Sequence, residues 1–189
     1  RSFIPVALAC ITGAAGHHLL FEEGVVFPLN FLLQPSSNYA LLFYATMGIV
    51  IGLISVIVTK VVYWIEDVFE KLPIHWAWWP AIGGIAVGVV GFFSPRTLGV
   101  GYSNITDLLT GTMPMQVVLS LCILKFVSWA ISLGSGTSGG TLAPLLTIGG
   151  ATGALIGGIG MFWFPNSGIN IPLSVLVGMS AMFAGASRA

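Results

Sequence analysis

Charge is the scarcest property of this sequence. Its 189 residues carry six Lys+Arg and six Asp+Glu, 6% of the chain, against about 25% in a soluble domain. Twelve charges cannot solvate the surface of a globule of this size, so a soluble fold is excluded. The formal net charge is zero, which leaves no basic surface to neutralise phosphates and excludes a nucleic-acid partner. Cysteine is nearly missing as well. Cys10 and Cys122 each sit inside an apolar run and read as free, buried thiols acting as small hydrophobes. Neither has metal-ligand spacing, and the three histidines His17, His18 and His75 form no His-Glu-x-x-His motif, so no metal or other cofactor is expected. His17 and His18 close the first apolar run and read as interface residues. The sequence shows no signal-peptide pattern, soluble domain, low-complexity tract or short-period repeat. It begins at Arg1 without methionine and stops at Ser187-Arg188-Ala189. Both ends look cut, and the expectation is a fragment of a longer membrane protein.

What the sequence has is apolar length. It is 56% hydrophobic with a mean hydropathy of +0.99. The apolar segments are Phe3 to Phe21, Tyr39 to Trp64, Trp78 to Phe93, Met115 to Leu133, Leu142 to Phe164 and Leu173 to Ala186. A full helical span needs about 20 residues, so the first, second, fourth and fifth suffice. The third and sixth are short, as in transporters with broken or tilted helices. The runs are continuous rather than alternating, which excludes a membrane β-barrel. The predicted class is all-α and integral to the membrane, with no soluble domain.

The links are short. Glu22 to Asn38 is the longest, and Pro28, Asn30 and Pro35 suit an irregular crossing outside the bilayer core. Glu66 and Glu70 share a helical face where the second span continues into solvent; a proton-relay role is the alternative. Trp76, Trp78 and Trp79 mark an interface belt. Gly99, Gly101 and Gly111 leave room only for a short helical piece over Ile105 to Leu109. Gly149, Gly153 and Gly157 recur every four residues, as do Gly48 with Gly52 and Gly84 with Gly88. Such spacing lets helix backbones approach closely in lipid.

One polar stretch interrupts this apolar chain: GSGTSGGTLAP, residues 134–144. Lipid tolerates non-helical backbone only where it is buried in protein or lines a watery cavity. Pro144 suits a first helical turn, so a helix is predicted from Gly140 or Thr141 to Phe164. Its first N–H groups lack intrahelical partners and, with the helix dipole, attract anions. Glycine lets a ligand reach the backbone, and Ser135, Thr137, Ser138 and Thr141 could add hydroxyl donors. The stretch holds no lysine or arginine, so binding would be loose enough for release. A plain connecting loop is the competing reading. Lys125, ten residues before Ser135, either faces a cavity, where it would raise the positive potential, or snorkels to an interface. Gly136-Thr137-Ser138-Gly139 also matches the Gly-x-Ser-Gly of rhomboid intramembrane proteases. All three histidines precede Ser138, whereas rhomboids supply the catalytic base from a later helix, so no catalytic residue is expected.

The stretch resembles a signature of the CLC family of chloride channels and chloride/proton antiporters. Its Gly-x-Phe-x-Pro form corresponds to Gly140-Thr141-Leu142-Ala143-Pro144, with leucine at the usual phenylalanine. Phe3-Ile-Pro-Val is similar to a helix opening near the end of the family's first half. Pro95 to Tyr102 is similar to its Leu-Gly-x-Gly-Tyr link, and Lys125 with GSG ten residues on to the helix leading into the signature. Gly178 to Ala189 is similar to a stretch that continues into Pro-Leu-Thr. The resemblance covers essentially the whole chain. It implies a fold of two inverted halves of tilted and broken helices. Residues 1–21 would end the first half and 39–189 would be an incomplete second half. It implies homodimers with one anion pore per subunit and the first span near the dimer interface. The backbone N–H groups of Thr141 and Leu142 would bind chloride; Ser138, Gly139, Gly140 and Pro144 would shape the loop. The family's gating glutamate, its first-signature serine and its late tyrosine do not occur here, and Glu22-Glu23-Gly24-Val25 does not match Gly-x-Glu-Gly-Pro. The chain would thus hold one wall of a pore. Protons as a second cargo and a bacterial inner membrane complete the expectation. The runner-up is a transporter of another family binding a carboxylate at the same helix start; a structural membrane subunit is the third reading.

Overall fold

A computed structural model of the chain describes residues 3–20, 37–165 and 167–187. Among these residues every regular element is helical. The chain divides into two compact units, residues 1–30 and 31–189. The first contains α1 (Phe3–Leu20). Its Leu8 and Ile11 are exposed, and Cys10, expected to be buried, is exposed as well.

The second unit begins with α2 (Asn38–Glu70). Ser37 caps it: its side chain accepts from the Ala40 amide at 3.3 Å, and its hydroxyl donates to Ser167 O at 2.6 Å. A helix of 33 residues is about 50 Å long, more than the roughly 30 Å hydrocarbon core. Glu66, Asp67 and Glu70 lie exposed on its last turns. A 3₁₀ turn at Trp76–Trp78 leads into α3 (Trp79–Phe93), with Pro80 in its first turn. Together they make a run of membrane length, so the third apolar segment is longer than the sequence reading allowed. Trp76 and Trp78 are exposed. Trp79 departs from the expected belt: it turns inward, its ring 6.3 Å from that of Phe69.

A second 3₁₀ turn, Pro95–Thr97, and the left-handed Gly99 and Gly101 lead to α4 (Tyr102–Thr110), the short piece expected there. α5 (Met115–Gly134), α6 (Leu142–Trp163) and α7 (Ile171–Ser187) follow. Among the described residues four runs are long and apolar enough to cross a membrane: α2, Trp76–Phe93, α5 and α6.

Glycine sets the packing. A Cβ on Gly149, Gly153 or Gly157 would strike Gly178, Ser174 or Met182, and one on Gly178 would strike Gly149 O. Rising numbers on α6 meet falling numbers on α7, so the two run antiparallel with backbones in direct contact. α2 runs parallel to α7: a Cβ on Gly48 would lie 3.9 Å from Val177, and one on Gly185 3.2 Å from Gly52 O. α5 is antiparallel to α6, with Cys122 Sγ 3.9 Å from Ile148 O and Met115 against Gly158. Gly84 and Gly88 correct the spacing argument. Nothing described lies within 4 Å of a Cβ there; α3 instead uses Gly83 against Ser135 and Gly91 against Leu98. Spacing marks a small-residue stripe, but which stripe is covered depends on the helix's rotation. Because α2 and α5 both oppose α6, their last turns converge on its first one, where Gly134 approaches Ile65 and the Glu66 amide.

Candidate anion site

α6 starts at Leu142, with Thr141 as its N-cap, and no side chain caps it. Leu145 is the first residue whose amide finds a partner in this turn, Thr141 O at 3.1 Å. Among the described residues the amides of Thr141, Leu142 and Ala143 have no acceptor. Pro144 has no amide to satisfy, which is why the turn tolerates it. The helix therefore ends in free donors at the positive end of its dipole.

Those donors border a cavity of 530 Å³ lined by Gly99, Val100, Tyr102, Gly140, Thr141, Leu142, Ala143 and Pro144. Two helix starts, those of α4 and α6, thus share one wall. Gly140 opens it: a Cβ there would meet nothing within 4 Å. Thr141 also lines a second cavity of 370 Å³ with Glu66, Tyr63, Trp129, Leu133 and Phe183 among its other walls. Among the described residues no histidine lines either cavity.

The sequence-predicted residues divide accordingly. Gly140, Thr141, Leu142 and Pro144 come together on the first cavity, while Ser138 and Gly139 lie on the exposed loop outside its lining. Ser135 and Thr137, expected as extra donors, are occupied. Ser135 is 1% exposed, donates to Ser132 O at 2.7 Å and shares a 2.9 Å bond with Thr137 Oγ1. It locks the loop's departure from α5 against Gly83 rather than facing a ligand. Lys125 does not snorkel. It is 4% exposed, and its Nζ donates to Thr97 O at 2.8 Å and Gly99 O at 2.9 Å.

The sequence profile described as voltage gated chloride channel matches residues 1–189. The chain belongs to the voltage-gated chloride channel family. Among its relatives is the protein described as voltage-gated ClC-type chloride channel ClcB of Escherichia coli O17:K52:H18, strain UMN026. It is 30% identical over 152 residues, which cover 80% of this chain and 36% of the relative. The ClcB proteins of Escherichia coli O139:H28, strain E24377A, and of strain K12 / DH10B match with the same identity and coverage. The chain thus spans 36% of the length of these relatives. Family membership and the apolar helices together make it an integral membrane protein.

For a member of this chloride channel family, sequence reasoning missed two features of the site. One is the wall formed by Gly99, Val100 and Tyr102. Its signal was present in Gly99 and Gly101, two glycines with φ of 71° and 87°, a left-handed pair that bends the link onto the α6 start. The other is the place of Glu66: the sequence singles it out at the end of the second span, with a proton-relay role as the alternative, but not as lining a cavity with Thr141. Glu22-Glu23-Gly24 and most of the Glu22 to Asn38 link lie outside the described residues.

Proposed function

We propose that this chain supplies one wall of a transmembrane path for small anions, chloride foremost. The observation that carries the reading is the uncapped start of α6, whose free Thr141 and Leu142 amides stand at a residue shared by two cavities. Partial charges on amides bind an anion without the grip of a full cation, and release is what conduction needs. The printed names of the relatives support chloride as the cargo. A cavity of 530 Å³ is far larger than a monatomic ion, so further donors close around the anion from sequence that these relatives carry and this chain does not span. On this reading residues 1–21 end one inverted half, residues 39–189 belong to the other, and the working unit is a homodimer. The Escherichia coli relatives favour a bacterial inner membrane.

The test is chloride efflux from liposomes carrying the protein expressed from its complete reading frame, with external pH recorded. Efflux with opposing proton movement identifies an antiporter, and efflux without it a channel. Absence of efflux for every small anion overturns the reading and turns attention to carboxylate substrates. A sharper test replaces the Leu142 amide by an ester, removing one N–H donor. Chloride binding is expected to weaken about tenfold, the scale of one hydrogen bond to a charge.

A further inference from the structure

We propose that Lys125 is a positioning residue for the anion cavity: its buried ammonium holds the Gly99–Tyr102 wall in place and gives that wall its positive charge. This rests on the anion reading above and adds the residue that sets affinity and selectivity.

Lys125 lies in α5, yet its Nζ reaches the link between α3 and α4 and bonds two of its carbonyls, those of Thr97 and Gly99. A cation inside a membrane protein is costly unless its donors are satisfied. Among the described residues no carboxylate pairs with it. Two carbonyls accept from the ammonium without neutralising it, so its field persists. The ammonium also stands directly behind the cavity wall. A Cβ on Gly101 would lie 3.7 Å from Nζ and 3.5 Å from Thr147 Oγ1, and Gly101 is the N-cap of α4, next to the lining residue Tyr102. The two bonded carbonyl oxygens carry the partial charge an anion must avoid, and Lys125 occupies both.

The rest of the link is tied independently. Asn104, 3% exposed, donates from Nδ2 to Arg96 O at 2.7 Å. Arg96 Nη1 pairs with Asp107 at 3.2 Å, but both side chains are well exposed, so that ion pair contributes little. Lys125 and Asn104 are the two buried side chains from outside the link that bond its carbonyls, and only Lys125 brings charge.

The experiment is titration calorimetry of chloride into the protein expressed from its complete reading frame, with the chloride-to-nitrate flux ratio in liposomes as the second readout. Wild-type protein is expected to bind chloride. Lys125→Met is expected to bind it about tenfold more weakly and to shift the flux ratio; Lys125→Arg is expected to restore both. A Met variant that binds and selects like wild type overturns the proposal and leaves the anion reading standing. Wild-type protein that binds no chloride overturns the anion reading itself, and this proposal with it. Where Lys125→Met does not elute as a single species, Asn104→Ala decides. It releases the same link from Arg96 O without touching the buried charge, and is expected to shift the flux ratio; an unchanged ratio overturns the positioning role.

Discussion

Gly153 and Gly178 have no space for even one methyl group. A Cβ on Gly153 would run into Ser174 O, and one on Gly178 into Gly149 O, backbone atoms that cannot swing aside. Gly153→Ala is expected to cost about 1–3 kcal/mol, the usual range for overpacking. It should lower the detergent unfolding midpoint. Gly84→Ala and Gly88→Ala serve as controls, since nothing described lies within 4 Å of either added methyl. They are expected to change stability by no more than about 0.5 kcal/mol, with alanine's better helix propensity acting in their favour. Equal losses at all three positions would show that α3 is covered in the same way as α6. The contrast also marks what single residues disclose in sequence. A glycine repeat announces close approach, but Gly84 and Gly153 read alike until the helix faces are known. Lys125 was equally legible as an oddity and equally silent about its partners, because Thr97 and Gly99 contribute backbone atoms that no side-chain pattern encodes.

Helix ends show the same division. The polar break at 134–144 and Pro144 place the start of α6 to within two residues, since a run of glycines cannot sustain a helix and a proline fits its first turn. The rotation of Ser135 toward Gly83 was not legible, because it depends on where α3 packs. The opposite end of the bundle is fixed by polar contacts between elements distant in sequence. Tyr44 of α2 accepts from the Asn170 amide at 2.7 Å and its hydroxyl lies 3.4 Å from Asn170 O, just before α7 begins. Tyr44 is 8% exposed, so Tyr44→Phe leaves a part-buried amide without its acceptor. The expected loss is about 1–3 kcal/mol, read as a lower unfolding midpoint in detergent. Thermal unfolding indistinguishable from wild type would mean that water or lipid headgroups replace the bond.

The whole molecule was legible as a class before it was legible as an arrangement. Low charge and long apolar runs dictate a helical membrane protein, and the order of its motifs points to the family whose profile spans the chain. What stayed hidden was tertiary: that the Gly99–Tyr102 link and the α6 start face one cavity, and that a second cavity reaches Thr141 from another side. On the proposed reading, liposomes carrying residues 1–189 alone are expected to show no chloride efflux above protein-free controls, because one wall would supply too few donors to strip an anion of water; efflux comparable to that of protein expressed from the complete reading frame would overturn this. Thr141 has one more consequence. If, on the proposed reading, water enters both cavities that Thr141 lines, a membrane voltage falls mostly across the protein between them rather than over the full bilayer. An ion passing Thr141 would then cross most of the electric field in one short step, and a unit charge doing so at 100 mV exchanges about 2.3 kcal/mol. The uncapped turn of α6 would make the bundle a short lever on which a small potential acts with nearly its whole force.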